Sequence, residues 1–420
     1  MQRTIFHIDV NSAFLSWEAV YRLKFLGEKR DIRNLVAAIG GDEAKRHGII
    51  LAKSIPSKKY GIQTGESLLE ARKKCPQLLI FPPDYDLYED CSRAFIQLLS
   101  RYTDQIEQYS IDECFLDVTD ALPLFGDPLT FALRIKKAVY EELGFTVNIG
   151  ISSCKLLAKM ASDFRKPYRI HTLYREEIPS KLWPLPVGDL FYVGHATKNK
   201  LHKLGIHTIG ELAHTDPELL QIHMKSHGLL IWEYANGIDD SPVIASPPPN
   251  KGYGNSTTTS FDVSSYGEAD AVLLALCETV GMRLRRDQAS GRVIHVGIRY
   301  QDSLAFAGMQ TTLNERTCST SCLYKTAATL LRKIWNAKTP LRHLGVHVGD
   351  VKYREAYRQM ELFQTGADQE KQLVWERTVD QIRARYGPYA LIRSSFLLYP
   401  DVDPNSGGIS AEKRGIHTGE

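Results

Sequence analysis

Three acids of this 420-residue chain stand where acids are rare. Asp9 closes a nearly continuous apolar run, Arg3–Val10, that reads as a buried strand. Asp112 and Glu113 interrupt Glu107–Thr119, a stretch of period-2 alternation that predicts a hairpin with both acids at its tip. An acid in buried strands costs free energy unless a charge partner offsets it. Carboxylates converging from neighbouring strands also repel one another, and a divalent cation relieves both penalties. Oxygen ligands with no His or Cys nearby select Mg²⁺ or Mn²⁺ over zinc. Two such ions can activate an attacking hydroxyl and neutralise leaving pyrophosphate oxygens. Asp112-Glu113 alone would say little, since turns are rich in acids. The triplet carries the reading.

The elements that must position this triplet follow from pattern. After the first strand, Asn11 or Ser12 can cap a helix running to about Leu26. Leu35–Ile39 and Ile49–Ala52 look like short strands, Glu66–Lys74 is a basic helix, and Tyr85–Tyr102 is a longer one. Leu129–Leu143 is helical and Thr146–Ser152 is another strand. The order strand, helix, strand, strand, helix, strand is that of a split βαβ, ferredoxin-like sheet, which gathers its acids at one end of the central strands. Beyond Lys166-Pro167 the texture turns to short helices, and Ser246–Gly252 is a Pro-rich linker. A second α/β unit follows. Gln364–Gln369 reads as a polar spacer before a last helix with Trp375, Val379, Ile382 and Tyr386 on one face.

Composition bounds the rest. The length suggests two to four domains. With 43% apolar and 24% charged residues the chain is not disordered, and no apolar run is long enough to span a membrane. An acid at position 9 breaks any signal peptide, and seven scattered Cys without a C-x-x-C pair suit reduced thiols, so a cytoplasmic protein is expected. The net charge of +3 names no partner, but residues 42–74 hold eight Lys/Arg against four acids, and 251–350 hold twelve against eight. Such basic regions suit a phosphate backbone.

Tyr109-Ser110-Ile111-Asp112-Glu113-Cys114-Phe115-Leu116-Asp117-Val118-Thr119 resembles the S-I-D-E-x-x-L-D-V-T signature of Y-family translesion DNA polymerases. Asp9-Val10-Asn11-Ser12-Ala13-Phe14 is similar to the family's D-[VM]-[ND]-x-F-[FY] segment, and Gly150–Ser162 with Lys166-Pro167 to its G-I-x-x-N-K-x-L-A-K-x-A-S…K-P block. The blocks occur in order, and the likeness runs from residue 1 to about 350. Asn11 in place of Asp resembles the polymerase V catalytic subunit more than DNA polymerase IV.

The resemblance implies an α+β right hand: a ferredoxin-like palm (1–10 and 78–168), small fingers (11–77), an all-helical thumb (169–242), a linker (243–252) and an α/β little finger (253–351). Residues 352–420 would be an extension, flexible after about 403. It further implies that Asp9, Asp112 and Glu113 are the catalytic acids and, with the Val10 carbonyl, hold two Mg²⁺ that Mn²⁺ can replace. Phe14 falls at the steric gate under the incoming sugar. Lys159, Lys58 and Ser54 fall at the triphosphate, although Ile55-Pro56-Ser57-Lys58 departs from the family's Y-x-x-R and loses its phenol. Val193–Leu201 resembles a helix-hairpin-helix, with Gly194, His195 and Thr197 at DNA phosphates and Tyr192 in place of the first glycine. Gln359, Leu362 and Phe363 are similar to a peptide that docks on the sliding clamp. The expected partners are primer-template DNA, dNTPs and the clamp, with a monomeric enzyme and no membrane. The function implied is template-directed, low-fidelity DNA synthesis in damage tolerance. The rivals are a nucleotidyl cyclase on the same palm, which needs no helix-hairpin-helix, and a DNA-binding module without catalysis, which needs no acids.

Overall fold

The computed structural model describes residues 3–41, 48–354 and 366–405, the side chains of 366–369 apart. It forms two units, one up to Gly40 and over Ile50–Pro247, the other from Pro248 onward.

The first unit opens with β1 (Ile5–Val10) and α1 (Ala13–Lys24). β2 (Ala37–Gly40), β3 (Ile50–Lys53) and β4 (Leu79–Phe81) make a small sheet, with α2 (Ile55–Lys58) and α3 (Leu68–Lys74) between β3 and β4. Then come α4 (Tyr85–Leu99), β5 (Ile106–Gln108), β6 (Glu113–Asp117), α5 (Leu122–Phe125), α6 (Pro128–Ala138), β7 (Val147–Ser152), α7 (Lys155–Asp163) and β8 (Ile170–Thr172). The main sheet has the order β5-β6-β1-β7-β8, antiparallel except between β7 and β8. This is the split βαβ pattern expected from the sequence, with one strand added. β1 is central because both its faces are covered: Phe6, Ile8 and Val10 are buried on one, Ile5 and His7 on the other.

Two local expectations are corrected. Ser12 precedes α1 in the left-handed region (φ 48°) and makes no side-chain cap. Asn11 cannot cap either, because its amide bonds Asn148 and Thr146. Leu15, Trp17 and Ala19 of α1 share one apolar cluster with Phe6, Ile8, Tyr88 and Phe95 and with Ala37, Ile39 and Ala52 of the small sheet, which packs a second cluster around Ala38, Ile50, Ile62 and Leu68.

α7 lies between two cores. Gly150 lets it press on β7: a Cβ there would fall 1.9 Å from the Ala158 carbonyl oxygen. Its other side, Leu156, Leu157 and Met160, joins the core of four short helices, α8 (His195–Lys203), α9 (Ile209–His214), α10 (Pro217–Met224) and α11 (Ser226–Ala235).

The second unit is a sheet of order β11-β10-β12-β9, built from β9 (Tyr253–Val263), β10 (Ala289–Tyr300), β11 (Phe306–Thr317) and β12 (Leu341–Gly349), with the short β13 (Lys352–Tyr353) on β10. Ile294, Val296, Ile298, Leu344, Val346 and Val348 are buried with α12 (Tyr266–Arg286) and α13 (Thr320–Ile334). The extension belongs to this unit: Phe396 and Val402 enter its core. Within the expected spacer, α14 (Gly366–Tyr386) already begins. The expected apolar stripe is also corrected. Trp375 and Tyr386 are exposed, and α14 instead buries Glu376 and Val379. Its contact with α12 is ionic, Arg285 reaching Glu376 and Asp380, and Glu278 reaching Arg383. Gln359, Leu362, Phe363 and the tail from 406 lie outside the described residues.

Candidate active site

The strand ladder gathers the acids. Asp9 is the register partner of Glu113 across β1 and β6, and the Val10 N–H donates to the Asp112 carbonyl at 2.9 Å. Glu113 is thus the first residue of β6, and Asp112 ends the tight turn before it.

Each carboxylate has a different partner. Lys166 Nζ is 2.9 Å from Asp9 Oδ1 and 2.8 Å from Asp163. Lys159 Nζ is 2.5 Å from Glu113 Oε2. Among the described residues no cation pairs with Asp112; it accepts from the Ser110 hydroxyl at 2.7 Å. Burial, then the neighbouring Asp9 and Glu113 charges, push the Asp112 carboxyl up to about 6 despite that bond. Burial acts on Glu113 in the same sense, but the His7 imidazole beside it and the Lys159 charge override it and hold Glu113 at about 2. Burial disfavours the Lys159 charge, yet Glu113 and Asp163 keep its proton affinity above the ordinary lysine value.

The lysines reach the acids because two segments deliver them. Lys159 projects from α7, pressed on the sheet at Gly150. Lys166 sits on the loop before β8, which Asn148 ties down. The Asn148 amide donates to Ser162 O and Arg165 O and accepts from Arg169 N and Asn11 Nδ2, and Asn11 accepts from Tyr168 N.

The donor set fits hard divalent cations: three carboxylates at adjoining strand ends, one of them without a counter-charge. In this geometry Asp9 and Glu113 are turned to lysines, and among the described residues no three His, Cys, Asp or Glu side chains already form a ligand cage. The expectation that no His stands nearby is overturned. His7 Nε2 lies 3.1 Å from Glu113 Oε2.

The other residues singled out from sequence are scattered around this centre. Phe14 begins α1, stacks on Tyr88 at 4.5 Å and meets Tyr85 edge-on. Lys58 ends α2 and is exposed. Ser54 is corrected: it is 1% exposed, and its hydroxyl donates to Leu35 O and accepts from the N–H of Ser57 and Ala37, so it caps α2 and is not open to a triphosphate. Gly194 is the N-cap of α8, followed by His195 and Thr197. Tyr192 adopts φ 70°, the conformation its glycine counterpart would favour.

Sequence reasoning missed His7, Ser162, Asn148 and Lys166 as site residues. Only the last carried a local signal, its place in the K-P pair. The others read as ordinary strand and helix positions, and their roles depend on partners over a dozen to more than a hundred residues away.

Comparison with known proteins agrees with this architecture. The impB/mucB/samB family model matches residues 8–163, the C-terminal domain of that family residues 250–362, and its HHH motif residues 175–206. The chain is 46% identical to DNA polymerase IV of Clostridium acetobutylicum over 94% of its own length and 99% of the relative's. It is 35% identical to DNA polymerase IV of Acetivibrio thermocellus over 94% and 98%. A solved Y-family DNA polymerase chimera superposes with a TM-score of 0.70 at 21% identity, covering 84% of this chain and all of that one. The fold is therefore that of a right-hand polymerase: the main sheet is the palm, the small sheet the fingers, the helical group the thumb and the second unit the little finger. The chain belongs to the impB/mucB/samB family, the Y-family translesion DNA polymerases. These relatives are DNA polymerase IV proteins, so Asn11 is a poor guide to the subgroup.

Proposed function

We propose that this chain, a DNA-directed DNA polymerase by family, adds dNTPs to a primer 3′ end with low fidelity during tolerance of DNA damage. The carrying observation is the trio Asp9, Asp112 and Glu113 on adjoining strand ends, with Lys166 on Asp9 and Lys159 on Glu113. In this reading the trio and the Val10 carbonyl hold two Mg²⁺, with Mn²⁺ as a substitute. Bound there, the ions activate the primer hydroxyl and neutralise the departing pyrophosphate. Lys159 and Lys166, displaced from the acids, turn to the triphosphate, with Lys58 as a further point charge lacking arginine's fork. Phe14, backed by Tyr88, excludes a ribose 2′-OH by sterics. The α8 N-terminus at Gly194, His195 and Thr197 offers N–H groups to DNA phosphates. Gln359, Leu362 and Phe363 dock on the sliding clamp, and the enzyme works as a cytoplasmic monomer.

Primer extension tests this. Asp112→Ala or Glu113→Ala should lower the single-turnover rate roughly 10³-fold or more with DNA affinity retained, because transition-state charge goes unbalanced. A variant keeping a tenth of the wild-type rate would sink the assignment. In the same assay Phe14→Ala should admit ribonucleotides, and changing Leu362 and Phe363 together to Ala should remove stimulation by the clamp. Unchanged sugar selection or surviving stimulation overturns those two roles.

A further inference from the structure

His7 lies on β1 two residues before Asp9 and is fully buried. Its Nδ1 is 2.8 Å from Ser162 Oγ on α7. Its Nε2 is 3.1 Å from Glu113 Oε2 but is not aligned for a full hydrogen bond, and is left without one. Oε2 is drawn instead to Lys159 Nζ at 2.5 Å. The imidazole is held in place by the Phe115 ring, 4.7 Å away between centroids.

Counting protons fixes the direction of this chain. Ser162 Oγ also lies 2.8 Å from Lys159 O, and a hydroxyl has one proton to give. If the imidazole is neutral and Ser162 donates to Nδ1, then Nε2 carries the ring proton. If the imidazole is charged, both nitrogens carry one, and Ser162 donates to Lys159 O. The remaining arrangement sets a bare Nε2 lone pair against an anionic oxygen. Nε2–H therefore faces Glu113 in every arrangement that avoids this repulsion, whatever the charge of the ring.

We propose that His7, braced by Ser162, is a positioning residue that orients the Glu113 carboxylate for a divalent cation. The proposal rests on the reading of Glu113 as a metal ligand. His7 and Lys159 compete for the same oxygen, one from inside the sheet and the other from α7. A donor fixed on Oε2 from within limits rotation of the carboxylate. Without it, Glu113 is free to turn wholly onto Lys159. Such outer partners commonly decide how well a ligand is presented.

The test uses Mn²⁺ alone as the probe, titrated into the full chain with free ion counted by electron paramagnetic resonance, alongside melting and primer-template affinity. His7→Phe keeps a ring against Phe115 but has no nitrogen. His7→Gln keeps a donor of similar reach, and Ser162→Ala removes the brace. His7→Phe should weaken Mn²⁺ binding roughly 10- to 100-fold, His7→Gln should stay within about threefold of wild type, and Ser162→Ala should fall between, all with unchanged DNA affinity. A folded His7→Phe that binds Mn²⁺ like wild type, or His7→Gln no better than His7→Phe, overturns the proposal. If His7→Phe does not fold, unchanged affinity in Ser162→Ala overturns it equally. Glu113→Ala separates the two levels: loss of binding there with none in His7→Phe defeats only the role of His7, whereas no loss in Glu113→Ala defeats the metal reading as well.

Discussion

Arg285 in the second unit and Asp112 in the first are both charged groups withdrawn from water, and they are treated in opposite ways. Arg285 is surrounded by fixed acceptors: Nε and Nη2 on Asp380, and Nη1 on Glu376, Cys318 O and Thr320 Oγ1. Glu376 in turn accepts from the N–H groups of Thr320 and Ser321. Asp112 has one hydroxyl and two like charges beside it. Its neighbours Asp9 and Glu113 are balanced by long lysine side chains that have somewhere else to go. A buried charge with every partner built in is architecture, here the joint between α12 and α14. A buried charge left short of partners is a place for something to bind. Burial alone does not distinguish them; the partner list does.

Breaking the closed network should give the larger stability effect. Glu376→Ala takes one of two carboxylates from Arg285 and leaves the N–H groups of Thr320 and Ser321 without their acceptor, and each buried group left unsatisfied typically costs about 1–3 kcal/mol. Calorimetry should show the second unit melting well below wild type. Replacing Arg285, Glu376 and Asp380 together with apolar residues of similar volume should recover much of that loss, as no member of the charge network is then left without its partner. A Glu376→Ala protein with unchanged melting would mean that the network is not the joint.

The open network should respond to pH instead. The Asp112 carboxyl lies near 6 when folded against an ordinary 3.8. The folded state therefore holds an extra proton between these values, and its contribution to stability is full at low pH and lost as pH rises through about 6. Glu113, held at about 2, acts in the opposite sense only at lower pH. Comparing wild type with Asp112→Asn, without metal, isolates the Asp112 share from other groups. The asparagine variant should gain on wild type between pH 3 and 7 by at most about 3 kcal/mol, since each decade in proton affinity is worth ~1.4 kcal/mol. Excess Mg²⁺ at pH 7 should shrink that gain by stabilising only the wild type. A gain that is absent, or of opposite sign, would show that Asp112 is already satisfied.

The sequence disclosed the open network better than the closed one. Asp9, Asp112 and Glu113 announce themselves because acids interrupt apolar strands, and β1, β6 and β7 follow from the same runs. Lys166 was in view as half of a K-P pair. His7 was not: a histidine inside a strand resembles any buried polar residue until Glu113 and Ser162 are folded against it. Ser54 misled for a related reason, as a serine before a short helix serves equally as cap or ligand. In α14 the apolar spacing of Trp375, Val379, Ile382 and Tyr386 found the buried Val379 but not the buried charge beside it, and Trp375 and Tyr386 are exposed. An acid-and-arginine face looks solvated until its counter-charges, Arg285 and Glu278, arrive from about a hundred residues upstream. Local pattern shows which groups are out of place, whereas matched charges hide in it.

The most direct test of the central claim is anomalous diffraction from crystals of the full chain with Mn²⁺, primer-template DNA and an incoming nucleotide. The account predicts two manganese peaks, about 3.5–4 Å apart, ligated by Asp9, Asp112 and Glu113, with Lys159 and Lys166 withdrawn from the carboxylates and His7 Nε2 in line with Glu113. A well-ordered complex with no manganese at these acids, and Lys159 and Lys166 still paired with Glu113 and Asp9, would contradict it.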